Sequence, residues 1–155
     1  EVEGLVTSAG AGDAGKLPAL DAAGKLDTSV MPTGIGADTK ALTASENLAA
    51  GDLVNVWNDT GTVKVRKADA TSPSKRAHGF VLSSVSSAAT ATVYFEGTIT
   101  GLSSLTLGAT YFLGTTAGAA TATATTTAGH IVQQVGVAVS ATELSFEPQQ
   151  PVELA

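Results

Sequence analysis

The stretch Leu53-Val54-Asn55-Val56-Trp57-Asn58-Asp59-Thr60-Gly61-Thr62-Val63-Lys64-Val65-Arg66 decides the fold class. Val54 and Val56 fall on one side of an extended chain, because side chains alternate across a strand. In the second half Val63 and Val65 alternate in the same way with Lys64 and Arg66. Between the halves, Asn58-Asp59-Thr60-Gly61 gathers turn formers, so the stretch reads as a β-hairpin. β-branched residues dominate it, which favours strand over helix.

Working outward, similar runs recur about every ten residues, the spacing of a sandwich or barrel. They are Gly79-Phe80-Val81-Leu82, Ala91 to Phe95 continuing to Ile99, Thr110-Tyr111-Phe112-Leu113, His130 to Val139, and Glu143-Leu144-Ser145-Phe146. The Thr/Ala-rich stretch 115–129 reads as a flat strand with a loose end. Glu147-Pro148-Gln149-Gln150-Pro151 stops the last strand, since proline has no N–H for a ladder. The one short helical candidate is Ala41 to Ala49, followed by a turn at 49–52. The expected fold is therefore all-β, a small β-barrel or β-sandwich over 39–155.

Residues 1–38 differ in character. Glycines at 4, 10, 12, 15, 24, 34 and 36, with Pro18 and Pro32, leave no helical or strand period. Gly15-Lys16-Leu17 recurs as Gly24-Lys25-Leu26. Isolated apolar residues, Leu17, Leu20, Leu26, Val30 and Met31, stand between turn formers. That spacing predicts an extended N-terminal arm that lays single side chains into pockets of a neighbour.

Composition sets limits on function. The chain of 155 residues is 43% hydrophobic but only 5% aromatic, so its core is built from small side chains and is expected to finish its burial against copies of itself. Charged residues make up 14%, well below the ~25% of typical soluble domains, so much of the surface is neutral. A net charge of −6 argues against a phosphate-backbone partner, and the single basic cluster, Lys64, Arg66, Lys67, Lys75 and Arg76, is diluted by Asp69. No cysteine is present, which excludes disulfides and thiolate chemistry. No apolar run is long enough for a membrane helix, and the N-terminal residues do not read as a signal peptide, so a product made in the cytoplasm is expected.

Catalytic groups are sparse. His78 and His130 are the only histidines, and a site built from His78, Asp69 and a serine would lack a nucleophile elbow. Glu96, Glu143 and Glu147 could supply a carboxylate pair for glycoside hydrolysis, but Trp57, Tyr94 and Tyr111 are too few for a sugar platform. Asp13, Asp21, Asp27 and Asp38 lack the close spacing of a calcium loop. Gly10-Ala11-Gly12-Asp13-Ala14-Gly15 has the form of a dinucleotide fingerprint, without the preceding strand or following helix. Asn58-Asp59-Thr60 is a sequon that coincides with the hairpin turn. No enzyme, no cofactor and no metal are expected.

The arm from Gly15 to Pro32, Gly-Lys-Leu-Pro-Ala-Leu-Asp-Ala-Ala-Gly-Lys-Leu-Asp-Thr-Ser-Val-Met-Pro, resembles a segment found near the N-terminus of head-decoration and fibre proteins of tailed bacteriophages. Leu107 to Leu113 and Ala128 to Phe146 are similar to the terminal hairpin unit of the same proteins. The resemblance implies a β-tulip-like barrel in a virion protein. The function it implies is that of a capsid decoration, or cement, protein on the capsid surface, binding the major capsid protein and itself as a homotrimer, with no nucleic-acid or membrane partner. Leu17, Leu20, Leu26, Val30 and Met31 would be the capsid-docking residues. The alternative is a head- or tail-fibre module that binds a host receptor or glycan.

Overall fold

In the computed structural model, which describes residues 4–31 and 36–155, the chain divides into the units Glu1–Gly36 and Ala37–Ala155. The sequence reading placed this boundary at residue 38. Pro32 and Gly34 of the arm lie outside the described residues.

The first unit is not one extended run. Strand β1 (Gly4–Leu5) pairs in parallel with β2 (Leu17–Pro18), which closes the chain between them into a loop. Short 3-10 turns cover Ala11–Asp13 and Thr28–Val30.

In the second unit, β3 (Thr39–Ala44), β4 (Leu53–Asp59), β5 (Thr62–Lys67), β6 (Gly79–Phe80) and β7 (Thr90–Tyr94) close into a barrel in the order β3-β5-β4-β6-β7. The hairpin read from the sequence is β4–β5, paired from Val54 with Lys67 to Asp59 with Thr62. Its loop is therefore Thr60-Gly61, both at positive φ, 50° and 91°, the requirement of a type I′ turn whose twist matches the strands. The Asn58 Oδ1 accepts the Gly61 N–H at 2.8 Å and steadies the turn. Strand β3 closes the barrel by pairing in parallel with β5 and antiparallel with β7.

Five strands enclose little space, and small side chains fill it: Ala44, Leu48, Val54, Val65, Val81, Ala91 and Val93, all at most 3% exposed. This is where the Ala- and Val-rich composition goes. Val63, near the hairpin tip, is 55% exposed. So the alternation of Val63 and Val65 does not end in a shared buried face.

Strands β8 (Gly97–Ile99), β9 (Thr110–Leu113), β10 (Ala120–Thr121), β12 (Gln134–Ala138) and β13 (Leu144–Phe146) form a second sheet, ordered β10-β9-β12-β13-β8. Strand β11 (Ile131–Val132) pairs separately with β14 (Val152–Glu153). One core joins this half to the barrel: Leu53 and Phe80 pack with Ile99, Tyr111, Leu113, Ile131, Val135, Leu144 and Phe146. Its aromatic centre is Phe80, stacked on Tyr94 at 5.5 Å and edge-on to Phe146 at 5.3 Å. Such pairs contribute about 0.5–1.5 kcal/mol beyond area burial.

Three expectations need correction, and the one helical candidate resolves in favour of the all-β reading. The run from Ala91 to Ile99 is two strands in two sheets, since the chain turns at Phe95-Glu96 and Gly97 takes φ 116°. The run from His130 to Val139 is also two strands, β11 and β12, parted at the buried Gln133. The helical candidate begins as strand β3, because pairing on both sides outweighs the weak helix preference of its alanines and leucine. Within 115–129 only Ala120–Thr121 is strand, the rest being turns and loop. Strand β13 ends at Phe146, two residues before Pro148, yet the Glu147 and Gln149 N–H groups still donate to the Val135 and Gln134 carbonyls, and strand pairing resumes at Val152.

Candidate docking surfaces

Each Gly-Lys-Leu of the first unit is the end of a longer module that begins with an aspartate. Asp13 Oδ2 accepts the Ala9 N–H at 2.7 Å, its Oδ1 meets Lys16 Nζ at 2.6 Å, and its carbonyl accepts the Lys16 N–H at 3.1 Å. Asp21 Oδ1 accepts the N–H groups of Ala23 and Lys25 at 2.8 and 2.9 Å, and its carbonyl takes the Gly24 N–H. Gly15 and Gly24 turn the chain at φ 83° and 74°, a conformation that costs glycine little. The leucine that follows each turn points outward: Leu17 is 58% exposed and Leu26 46%. Leu20, between the modules, is 59% exposed, whereas Val30 and Met31 are partly buried.

Asp13, Asp21 and Asp27 thus shape turns. Asp27 caps the Thr28–Val30 turn by accepting the Ser29 N–H at 2.9 Å. Hydrogen bonds to the Ser29 side chain and backbone hold the Asp27 carboxyl below its usual range, and the Lys16 and Ala9 hydrogen bonds do the same for Asp13. The repeat of Gly-Lys-Leu was visible in the sequence. The aspartate that opens each module was the signal left unread.

A second surface follows from what the chain leaves out. From Gly97 to Thr142 the sequence contains no Asp, Glu, Lys or Arg. Most of the second sheet is made from this stretch. Inward-facing residues of β9 and β13 are buried, and the register places Thr98, Ser145, Val137 and Thr110 side by side on the opposite face. At the end of the β9–β12 ladder Leu107 is 67% and Val139 56% exposed. Past the other end of β9, from Leu113 onward, a cleft of about 650 Å³ is lined by threonines of 115–127 with His130, whose Nδ1 lies 3.1 Å from Thr125 Oγ1.

The basic cluster does not make a phosphate-binding face. Lys64 pairs with Asp59 at 2.7 Å, Lys67 with Asp52 at 3.2 Å and Lys75 with Asp69 at 2.8 Å. Arg66 lies 4.6 Å over the Trp57 ring and donates to Asn55 Oδ1 at 3.0 Å and the Ser74 carbonyl at 2.9 Å. Asp69 is engaged too, accepting from Lys75 and from the Thr71 amide and hydroxyl. Burial, the largest single effect, would raise its carboxyl, but these donors together outweigh it and hold it below the usual range.

Asp69 and His78 therefore do not share a site. His78 Nδ1 accepts the Val56 N–H at 3.0 Å, extending the β4 ladder past the end of β6. Burial first, and the Arg76 cation second, lower its pKa. The aromatic residues are dispersed in packing roles: Trp57 donates to Ser45 Oγ at 3.2 Å, Tyr94 stacks on Phe80, and the Tyr111 hydroxyl accepts the Thr106 N–H at 3.0 Å. Glu143 and Glu147 flank β13 and Glu96 lies in the β7–β8 corner. Among the described residues, no three His, Asp or Glu side chains gather where a metal could be held.

No family model matches this chain, and no curated protein matches it.

Proposed function

We propose that the chain is a non-enzymatic structural protein of a tailed-bacteriophage particle. In this reading it is a capsid decoration protein that docks on the outer surface of the head through its first unit and self-associates through its uncharged second sheet, as a homotrimer. The observation that carries the reading is the pair of aspartate-led turn modules that present Leu17 and Leu26, with Leu20 between them, to solvent.

Burying one leucine contributes about 1.5–3 kcal/mol, and three arms on one oligomer would act together. Fixing a flexible backbone costs ~1–2 kcal/mol per residue. Turns already held by Asp13, Asp21 and Asp27 reduce that cost at the moment of docking. The resemblance of the arm to phage head proteins supplies the identity of the surface beneath it.

The test is co-sedimentation of the full chain with undecorated phage shells. Replacing Leu17, Leu20 and Leu26 together by serine is expected to abolish association while the circular dichroism and oligomeric state remain those of the parent. Undiminished association would reject the docking role. Hundreds of copies per purified particle are expected for a decoration protein, and a few copies would favour the fibre alternative.

A further inference from the structure

Leu107 is the most exposed large apolar side chain among the described residues, and its backbone is held in place. The Ala109 N–H donates to the Thr106 carbonyl at 3.1 Å and Gly108 takes φ 73°, so Leu107 stands at the corner of a type II turn. The Tyr111 hydroxyl accepts the Thr106 N–H at 3.0 Å, and the Ala138 carbonyl accepts the Gly108 N–H at 2.8 Å. The second bond ties the turn to the end of β12, where Val139 is also exposed. The result is a pre-set apolar knob whose backbone has little freedom left to lose on contact.

The other end of β9 carries the reverse shape. The cleft of about 650 Å³ opens from Leu113 onward, and the turn 114–119 on its near side is pinned to the barrel. The Gly114 carbonyl accepts the Ala70 N–H and the Gly118 N–H donates to the Ala68 carbonyl, each at 2.8 Å. Threonine and alanine make up most of the lining, and each threonine brings a methyl beside its hydroxyl. His130 is the one titratable group there.

Knob and cleft both belong to 97–142, the stretch that holds none of the eight basic and fourteen acidic residues of the chain. With a net charge of −6, two copies repel over most of their surfaces. Contact between knob and cleft takes no formal charge of that stretch out of water, the step that opposes burial of ionic surface. The margins are complementary too: the Glu143 carbonyl accepts the Val139 N–H at 3.0 Å, which puts a carboxylate residue beside the knob, while the cleft holds a histidine. Because knob and cleft lie at opposite ends of one strand, a chain cannot fill its own cleft with its own knob.

We propose that the Leu107–Val139 knob of one copy inserts into the Thr/Ala cleft of the next, so that copies join head to tail and the third closes a ring. The inference rests on the self-association assigned above to the second sheet and specifies its contact. Such a contact is heterologous, joining different patches of two copies, and it terminates only when the ring closes. In a ring of three each copy is held twice, which strengthens a contact that is weak alone.

Sedimentation velocity of the full chain tests this with substitutions at exposed positions. Leu107→Ser combined with Val139→Ser removes the knob, Thr126→Trp fills the cleft, and Thr123→Trp repeats the second block independently. Expected are a trimeric parent and, for each variant alone, a monomer with the circular dichroism of the parent. Mixing a knob variant with a cleft variant is expected to give a one-to-one heterodimer. That mixture restores one contact, between the intact knob of one chain and the open cleft of the other, and cannot close a ring. Trimers that survive either change, or monomeric variants that fail to pair on mixing, overturn the head-to-tail contact while leaving the self-association reading in place. A parent that stays monomeric throughout a concentration series overturns both.

Discussion

The Gln133 side chain holds both backbone polar groups of Ala77: Oε1 accepts the Ala77 N–H at 2.8 Å and Nε2 donates to its carbonyl at 2.9 Å. Both residues are buried, at 2% exposure each. A side chain from the gap between β11 and β12 thus supplies the pairing that a neighbouring strand would have given residue 77. Gln133→Leu has similar bulk and leaves two buried backbone groups without partners. It is expected to cost about 2–4 kcal/mol, read as a lower urea midpoint with an unchanged slope. A change under 0.5 kcal/mol, roughly the level of a neutral surface substitution, would show that water replaces the clamp.

Gly136 faces the opposite strand so closely that an added Cβ would overlap the Ser145 carbonyl oxygen, a backbone atom with no freedom to retreat. The ladder between β12 and β9 shifts register at this point. Gly136→Ala is expected to destabilise by more than about 2 kcal/mol, the scale of overpacking and backbone strain combined. Thermal unfolding by circular dichroism measures it, and a parent-like midpoint would contradict the close approach.

Thr60 has φ 50°, a conformation in which a β-branched residue is strained and asparagine is at home. Thr60→Asn is expected to stabilise the hairpin by ~0.5–1 kcal/mol, a fraction of the cost of left-handed backbone in ordinary residues. Chemical denaturation decides the sign. A destabilised variant would mean that the threonine side chain has a role of its own at the tip.

Stability should fall with acid in two separate windows. For His78 the folded pKa lies below its ordinary 6.5, so between the two values the unfolded chain binds a proton that the folded chain does not. Its contribution is complete above pH 6.5 and is lost as pH falls through that interval. Asp69 behaves in the same direction lower down: its stabilisation is present above 3.8 and disappears as pH drops toward its depressed folded value. Unfolding free energies measured against pH should show both descents, the upper removed by His78→Gln and the lower reduced by Asp69→Asn. A flat profile between pH 7 and 5 in the parent would exclude a lowered His78.

What the sequence disclosed and what it hid follow from the range of the interactions. The β4–β5 hairpin was legible because strand alternation and turn chemistry sit within one short window. The division of 91–99 between two sheets was not, since nothing local in Val93-Tyr94-Phe95 distinguishes a strand that stays in one sheet from one that changes partners. Gln133 was read as an ordinary strand residue because its partner at Ala77 is remote in sequence. In the first unit the exposed leucines were visible as isolated apolar residues, while the aspartates that aim them resembled solvated charge. The ion pairs of the basic cluster were equally hidden, since its partners Asp52, Asp59 and Asp69 are brought to it by the folded barrel.

The parallel pairing of β3 with β5, which closes the barrel, has a consequence for synthesis on the ribosome. Strand β3 emerges first, yet both of its neighbours are made after it, β5 by Lys67 and β7 by Tyr94. Until Tyr94 has left the exit tunnel, the nascent chain has a hairpin but no closed ring, and the Thr39–Ala44 segment offers open edges to any passing strand. Polar threonines and Lys40 along that segment give it some protection during the wait. Translation speed between Lys67 and Tyr94 would therefore influence how much of the newborn protein reaches its native ring and how much is diverted to aggregates.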